Sequence, residues 1–228
     1  MKKFVSTGKC ALCKKSFPKS AMTRHLKSCL TTASTARTAQ PVGKTLKTFH
    51  LLVEGRYLPE FWMHLEVPAA ATLEKLDRFL RDVWLECCGH MSAFTIEGVR
   101  YSVSPMRDSS FGGPPEQNMK KKLYDALSPG LAFGHEYDFG TTTELRLKVL
   151  GQGERPGGAA DVEILARNNL PPITCESCGR PATQVCSGCI WNAPAWFCNK
   201  CAKDHECGEE MLLPVVNSPR VGTCGYTG

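Results

Sequence analysis

Apolar and polar residues alternate over two early stretches of the chain and then change to a helical spacing. The runs 46–54 and 61–67 are apolar and partly alternating, which is typical of strands, and a turn at 55–59 separates them. From Leu73, apolar residues recur three or four positions apart, and Thr72 stands at the N-cap position. The pattern therefore predicts two strands and then one main helix from Leu73 to Cys87.

The rest of the central region predicts mostly strands. Four further runs have strand character, at 93–97, 133–139, 143–150 and 161–167. A short helix is predicted at 119–127, and loops at 104–118 and 151–158. Strands arranged around one main helix indicate an α+β domain with a mainly antiparallel sheet, which we expect at 46–170. The opening strand–strand–helix–strand order is also compatible with a ubiquitin-like roll.

The charge of the chain is distributed unevenly. Residues 1–48 hold 11 Lys and Arg and no Asp or Glu, whereas the remainder holds 17 Lys and Arg against 22 Asp and Glu. A basic arm on a mildly acidic body favours contact with a polyanion. Residues 31–45 are rich in Thr and Ala and poor in large apolar side chains, so we predict a flexible linker there.

Residues 1–30 contain a four-ligand metal pattern. Phe17 and Met22 stand where a ββα finger has its small core, and a helix over 18–28 would place the last two ligands on one face. Four Cys or His ligands close a tetrahedral zinc site. The predicted ligands are Cys10, Cys13, His25 and Cys29. This segment resembles a Cys-Cys-His-Cys variant of the classical zinc finger.

The same segment carries the residues that we expect to contact nucleic acid. Phosphate contacts by Lys and Arg position a protein on DNA or RNA without reading the sequence. The candidate residues are Lys14, Lys15, Lys19, Arg24 and Lys27. Fingers of this kind also bind proteins, so DNA, RNA and protein all remain open as targets of residues 1–29.

The C-terminal quarter carries seven cysteines and one histidine at metal-ligand spacing. Three Cys-x2-Cys pairs precede a His-x-Cys pair, and eight ligands close two tetrahedral zinc sites. The ligands are Cys175, Cys178, Cys186, Cys189, Cys198, Cys201, His205 and Cys207. Eight protein ligands leave no open position for water, so we interpret both sites as structural.

The ligand order allows either a sequential or a cross-braced pairing. The run 196–201 (WFCNKC), followed by His205 and Cys207, resembles the MYND zinc finger. The resemblance implies cross-bracing: the first and third cysteine pairs bind one ion, and the other four ligands bind the second. The single residue between His205 and Cys207 departs from the MYND pattern, which leaves Cys207 and the distant Cys224 as alternatives for the last ligand.

The MYND resemblance also implies a peptide-binding role for this module, which we place at 171–213 before a tail at 214–228. Trp191, Pro194 and Trp196 are the candidate contacts, and covering the metal core is their alternative role.

Four short motifs of the central region occur together in one family. They are Pro59-x-Phe-Trp-x2-Leu-Glu-Val-Pro68, Thr72-Leu-x2-Leu-x2-Phe-Leu-x2-Val-Trp84, Gly89-His-Met-Ser-Ala-Phe94 and Tyr137-Asp-Phe-Gly140. Over roughly 46–167 the chain resembles the plasmid pRiA open-reading-frame-three-like family, also known as TnpR-like passengers of insertion elements. The resemblance implies an α+β domain linked to mobile elements, without an established chemistry.

The polar positions of that family are only partly retained. His90 and Asp138 are present, whereas Ser92, Thr141 and Thr143 replace other polar residues of the family, and Leu145 replaces one more. A general base needs neighbours that orient it and tune its pKa, so we predict no catalytic residues. An enzyme site near His90 and Asp138 is the less favoured hypothesis. We expect the adjacent Cys87 and Cys88 to be buried at a helix end.

The number and spacing of the cysteines indicate a compartment and a cofactor. The chain has 13 cysteines, no apolar run that resembles a signal peptide and no stretch long enough to span a membrane. We therefore expect a reducing cytoplasm, where clustered Cys-x2-Cys pairs favour metal over disulfides. The sequence predicts three zinc ions and a non-catalytic adaptor or regulatory protein. The alternative is a factor that contacts only proteins.

Overall fold

Ten strands form one sheet that runs through most of the molecule. The computed structural model describes residues 4–38, 45–105, 116–156 and 161–228. The strands are β1 Thr7–Cys10, β2 Ser16–Pro18, β3 Thr45–Gly55, β4 Trp62–Pro68, β5 Ser92–Ile96, β6 Val99–Ser102, β7 Gln117–Asn118, β8 Ala132–Tyr137, β9 Thr143–Pro156 and β10 Glu163–Asn168. Their order across the sheet is β2-β1-β10-β4-β3-β9-β8-β5-β6-β7. Every described pair is antiparallel except β6 with β7, which confirms the predicted α+β class.

Three helices accompany this sheet: α1 Lys19–Thr38, α2 Leu73–Leu80 and α3 Leu123–Ala126. Thr72 caps α2 as predicted, because its side-chain oxygen accepts a hydrogen bond from the Lys75 backbone N–H. The predicted helix to Cys87 ends earlier, as α2 passes into a π-helical turn at Arg81–Leu85. In the described part of the chain, no helix is both long and apolar enough to cross a bilayer.

Strand β9 is longer than its sequence indicates. The predicted loop at 151–158 is wrong up to Pro156, since β9 continues along β3 until Thr45 faces Pro156. A β-bulge beside His50 shifts the register partway, and this accommodates the glycine-rich segment in the ladder. The rest of that predicted loop, and residues 106–115 of the predicted loop at 104–118, lie outside the described residues.

Helix α1 continues into the segment that we expected to be a flexible linker. The helix runs to Thr38, well past Cys29, so the prediction is wrong for residues 31–38, and residues 39–44 lie outside the described part. The Thr31 and Thr32 hydroxyls donate hydrogen bonds to the carbonyls of Lys27 and Ser28, one turn earlier. Side-chain bonds of this kind satisfy the threonine hydroxyls within the helix but do not strengthen it.

The N-terminal module is joined to the central sheet rather than tethered to it. Strand β1 pairs with β10, with Gly8 opposite Asn168 and Cys10 opposite Ala166. A second apolar cluster fills the junction, and its buried members are Cys10, Met22, Leu26, Trp62, Leu165 and Ala166. The indole N–H of Trp62 also donates to the Ser6 hydroxyl at 2.8 Å. Backbone hydrogen bonds and one apolar cluster therefore join the finger to the central domain.

Gly8 allows this close contact between the finger and the central sheet. Its replacement by alanine should therefore destabilise the protein. A Cβ at Gly8 would lie 2.5 Å from the Trp62 ring and closer still to the Arg167 carbonyl. We expect Gly8→Ala to lower the free energy of unfolding by about 1–3 kcal/mol, the usual cost of overpacking. Gly151→Ala is the control, because no atom lies within 4 Å of a Cβ at that strand position. Equal urea midpoints for the two variants would contradict this account.

The C-terminal residues form a second, smaller sheet. Strand β11 Gln184–Cys186 lies between β12 Trp196–Phe197 and β13 Leu212–Pro214, and helix α4 Asn199–Ala202 and a 3-10 turn at Glu209–Met211 lie nearby. Val185 and Ala195 belong to the main apolar core, together with Val221 from the tail. Metal module, tail and central domain therefore share one core.

Candidate metal centres

The four predicted finger ligands lie together. The Cys10 and Cys29 sulfurs are 4.0 Å apart, and the Cys13 sulfur is 3.3 Å from Nε2 of His25. All four donor atoms lie within 4.8 Å of one another. The His25 ring stacks on Phe17 with 3.9 Å between centroids, which fixes the imidazole orientation.

The loop that carries the first two finger ligands is a tight turn. The Lys14 N–H donates to the Cys10 carbonyl, and the Cys10 N–H donates to the Lys15 carbonyl, both at 2.9 Å. Lys14 adopts a positive φ of 63° to close this turn. These backbone bonds bring Cys10 and Cys13 together on one short loop.

The eight predicted C-terminal ligands divide into two groups of four. One group contains Cys175, Cys178, Cys198 and Cys201, and the other contains Cys186, Cys189, His205 and Cys207. This division is the cross-braced arrangement, and it places Cys207 beside Cys189 at 3.4 Å between sulfurs. Cys224, the alternative for the last ligand, lies in a different part of the molecule.

A positive side chain accompanies the four-cysteine group. The Arg180 guanidinium donates to the Cys178 sulfur at 3.4 Å and to the Cys198 sulfur at 3.2 Å. Four thiolates around a divalent ion leave two excess negative charges, which a nearby cation partly offsets. The hydrogen bond to Cys178 and the thiolate charges raise the pKa of Arg180, so it stays protonated.

The pKa values of the thiols in this group are shifted in opposite directions. Burial opposes ionisation of Cys175, but N–H donors of Cys198 and Ser177 outweigh it and lower the Cys175 pKa to about 6. A hydrogen bond with Cys178, together with burial, raises the pKa of Cys201 to about 12. Crowded thiols cannot all ionise alone, and a bound divalent cation removes that obstacle.

Donor spacing also fits zinc. Tetrahedral Zn–S bonds of about 2.3 Å place neighbouring sulfurs roughly 3.8 Å apart. The distance from Cys178 to Cys198 is 3.7 Å, and that from Cys10 to Cys29 is 4.0 Å. Sulfur and imidazole donors in these numbers are those that zinc prefers. Each of the three predicted clusters could hold a metal ion in this way.

A fourth cluster was not predicted. It brings together Cys87, Cys88, His90 and Cys224, whose donor atoms also lie within 4.8 Å of one another. The expected burial of Cys87 and Cys88 at a helix end is wrong for Cys88, which is exposed. Two adjacent cysteines followed by His90 gave a local signal, but the fourth residue comes from 134 positions away.

His90 and Asp138 do lie near each other, with 3.6 Å between Nε2 and Oδ2. Asp138 is nonetheless occupied: its Oδ2 accepts from Arg220 at 2.7 Å, and its Oδ1 accepts from the backbone N–H groups of Gly140 and Thr141. Burial raises the Asp138 pKa, but these donors outweigh burial and lower the pKa below its usual value. Asp138 is a satisfied carboxylate in a turn, which gives it a structural role.

Strands β3 and β4 contribute a histidine pair in which His64 is fully buried and His50 is half-buried. His50 Nε2 and His64 Nδ1 are 2.9 Å apart. Burial lowers the pKa of His50 to about 4 and that of His64 to about 3, so both rings are neutral near pH 7. Spacing in the sequence gave no sign of this pair, because its two members come from different strands.

The comparisons with known proteins concern the central part of the chain. The family model described as plasmid pRiA4b ORF-3-like protein matches residues 49–180, more than half of the chain. The chain belongs to the plasmid pRiA4b ORF-3-like family. That assignment confirms the family resemblance of the central region.

Two further comparisons add little to this assignment. A solved structure, that of the protein of unknown function MM3350 from Methanosarcina mazei Go1, is 21% identical with a TM-score of 0.46. The match covers 54% of this chain and 70% of that one. No curated protein matches the chain.

The pRiA4b ORF-3-like region contains only part of the metal-ligand set. The matched residues 49–180 include five of the candidate ligands, namely Cys87, Cys88, His90, Cys175 and Cys178. The finger precedes them, and the ligands from Cys186 onward follow them. The family model therefore covers most of the central sheet, whereas most candidate ligands lie before or after the matched residues.

The five residues that we predicted to contact nucleic acid differ in their exposure and in their partners. Lys14, Lys15, Arg24 and Lys27 are exposed, and among the described residues no carboxylate lies within ion-pair distance of them. Lys19 instead forms an ion pair with Glu54 and donates to the Pro59 carbonyl at 2.7 Å. Lys19 therefore fastens the start of α1 to the β3–β4 turn.

Proposed function

We propose that this protein is a zinc-binding, non-catalytic adaptor. In this proposal it contacts nucleic acid through the basic finger and protein through the C-terminal module. The observation that carries the nucleic-acid proposal is a finger surface with four exposed cations, Lys14, Lys15, Arg24 and Lys27, which form no ion pair with a described carboxylate. The finger and the two C-terminal groups would each hold one structural zinc ion through four protein ligands. Zinc bound in this way fixes the fold and leaves no open position for water.

The finger geometry favours contact with phosphates over reading of bases. Classical fingers read bases from the start of the helix, at positions −1, 3 and 6. Here the helix begins at Lys19, whose side chain is held by Glu54, and the first two reading positions are Pro18 and Ala21. Pro18 and Ala21 offer no bidentate donor to a base edge, so Arg24 at position 6 is the one reading position with such a donor. We therefore expect binding with little sequence preference and a strong dependence on salt.

Neutralising the four cations should test this proposal directly. In fluorescence anisotropy with a 20-base-pair DNA and an RNA duplex, the Lys14→Gln, Lys15→Gln, Arg24→Gln and Lys27→Gln combination should weaken binding at least about tenfold at low salt. The slope of log K against log salt should also become less negative by about 3–4, since each lost phosphate contact removes about 0.9. The matched control replaces Lys120, Lys121 and Lys122, an exposed basic run elsewhere, and should bind as the wild type does.

A second candidate function is contact with protein alone. Trp191 is 66% exposed, and the exposed Pro194 lies near it on the loop that follows Cys189. Trp196 is half-buried and packs against the main core, so it favours the covering role. Zinc-loaded wild-type protein without salt-dependent binding to either nucleic acid would contradict the first proposal. That result would favour protein contact through this module.

The enzyme hypothesis has less support. His90 faces Cys88 and Cys224 as well as Asp138, and Asp138 is held by Arg220. A carboxylate that is paired with a buried guanidinium and accepts two backbone N–H bonds is a weak general base, because these donors stabilise its ionised form. The proposed link to mobile elements rests on the family alone.

A further inference from the structure

The loop at 86–90 and the C-terminal tail bring four metal donors to one point. The Cys88 sulfur lies 3.3 Å from the Cys87 sulfur, 3.4 Å from the Cys224 sulfur and 3.2 Å from Nε2 of His90. The Cys224 sulfur lies 3.6 Å from the same nitrogen. These spacings match those within the three predicted clusters.

The loop side of this cluster is held in place without a metal. The Tyr137 hydroxyl accepts hydrogen bonds from the backbone N–H groups of Cys87 and His90 and donates to Glu86 at 2.9 Å. Glu86 also accepts from the Gly89 N–H. Gly89 has a φ of 75°, a conformation that glycine adopts without strain, and this turns the chain back on itself.

The tail side is held independently. Arg220 is fully buried against Asp138, and the Ser218 hydroxyl donates to the Trp84 carbonyl at 2.6 Å. Cys224 itself has a φ of 53°, unusual for a residue with a side chain. Strained backbone of this kind persists where the surroundings fix it, and it is enriched at ligand sites.

We propose that Cys87, Cys88, His90 and Cys224 form a fourth structural zinc site, the tail clasp, which fastens the C-terminal tail to the central domain. Three thiolates and one imidazole complete a tetrahedral shell and leave no position for substrate. The tail clasp goes beyond the three zinc ions that the sequence predicts, and it does not depend on nucleic-acid binding.

The distribution of cysteines supports the tail clasp. The chain has 13 cysteines, and every one of them belongs to one of the four clusters. A cysteine that served only packing would be expected outside such a group.

The surrounding charge also suits a metal. Three thiolates on a divalent ion leave one negative charge, and the Arg220 guanidinium lies 3.4 Å from the Cys87 sulfur. The arrangement provides a role for His90, whose Nε2 faces two sulfurs. A disulfide between Cys88 and Cys224 would give that nitrogen no partner among the thiols.

Native mass spectrometry of the full chain, purified in reductant with zinc, tests the tail clasp. We expect four ions on the wild type and three on Cys88→Ser, on Cys224→Ser and on the double variant. Equal losses from the single and double variants would show that both residues serve one ion. Thr227→Ala, a neighbouring exposed tail substitution, should keep four.

A second measurement reports whether the clasp holds the tail. Trypsin cleavage after the buried Arg220 should become at least about tenfold faster in Cys224→Ser than in Thr227→Ala, while circular dichroism confirms that the central fold is intact. Three ions on the wild type, or no loss of zinc in either single variant, would overturn the proposal. So would a Cys87–Cys88 or Cys88–Cys224 disulfide found by peptide mapping of the reductant-purified protein.

Discussion

Replacing Cys178 by serine should remove one zinc ion and unfold the C-terminal module. The four-cysteine group loses a ligand, and zinc binding in such sites contributes on the order of 10–16 kcal/mol to folding. That amount is comparable to the total stability of a typical domain, about 5–15 kcal/mol. A module with only short strands cannot replace it with apolar burial.

The effect should extend beyond the module. Val185 and Ala195 are buried in the main core, so unfolding of the module exposes apolar surface on the central domain. We expect the melting temperature of the whole protein to fall by at least about 10 °C, because 1 kcal/mol corresponds to roughly 2–4 °C in a domain of this size. Calorimetry with zinc counting by mass spectrometry measures both effects, and Ser177→Ala is the neighbouring control. A Cys178→Ser protein with full zinc and an unchanged melting temperature would contradict the ligand assignment.

Replacing Arg220 by methionine should destabilise the protein by about 3–5 kcal/mol. Arg220 is fully buried and pairs with Asp138 at 2.7 Å, and it also donates to the Thr141 carbonyl and the Thr143 hydroxyl. Removing one partner of a buried ion pair leaves the other charge uncompensated, which carries a cost of this order. Urea unfolding followed by tryptophan fluorescence measures the change.

A double-mutant cycle separates the ion pair from the packing of Arg220. Asp138→Asn in the Arg220→Met background removes the stranded charge, so the double variant should recover part of the loss. An Arg220→Met protein within about 1 kcal/mol of the wild type would show that the tail does not depend on this pair. Strict additivity of the two substitutions would point to the same conclusion.

The hydrophobic pattern predicted the central fold well where a strand has one regular environment. The strands that begin near Thr45, Trp62 and Ser92 were all predicted within a residue or so, and the Thr72 cap was read directly from the residue type. The pattern failed where tertiary pairing overrides composition. β9 continues through a glycine-rich segment because β3 offers a partner along its whole length.

The attachment of the finger could not be predicted for a similar reason. Strand β1 is four residues long, and its pairing with β10 joins positions about 160 residues apart in the sequence. Gly8 is the main sequence feature that marks this attachment. A lone glycine in a short run indicates a turn unless its contact with Trp62 is known. Short strands and distant partners carry too little local signal.

The candidate metal sites show the same contrast between local spacing, which the sequence reveals, and distant contacts, which it does not. Twelve ligands in Cys-x2-Cys and neighbouring patterns were assigned from spacing alone, because local spacing fixes which donors a tight turn or a helix presents together. Cys88 and Cys224 have no such spacing, and they meet only because the tail folds back over the domain. The cross-braced division came from resemblance to MYND fingers, and the structure shows the same grouping.

Zinc stoichiometry of the intact protein tests the central claim most directly. Native mass spectrometry of reduced, full-length protein should find four zinc ions, and stripping them with a chelator should lower the melting temperature of the whole protein, because the metal module and the central domain share one core. Three ions, with no further loss in Cys224→Ser, would retain the finger and the cross-braced pair and remove the tail clasp. A protein that carries no zinc and melts identically before and after chelation would contradict the account as a whole.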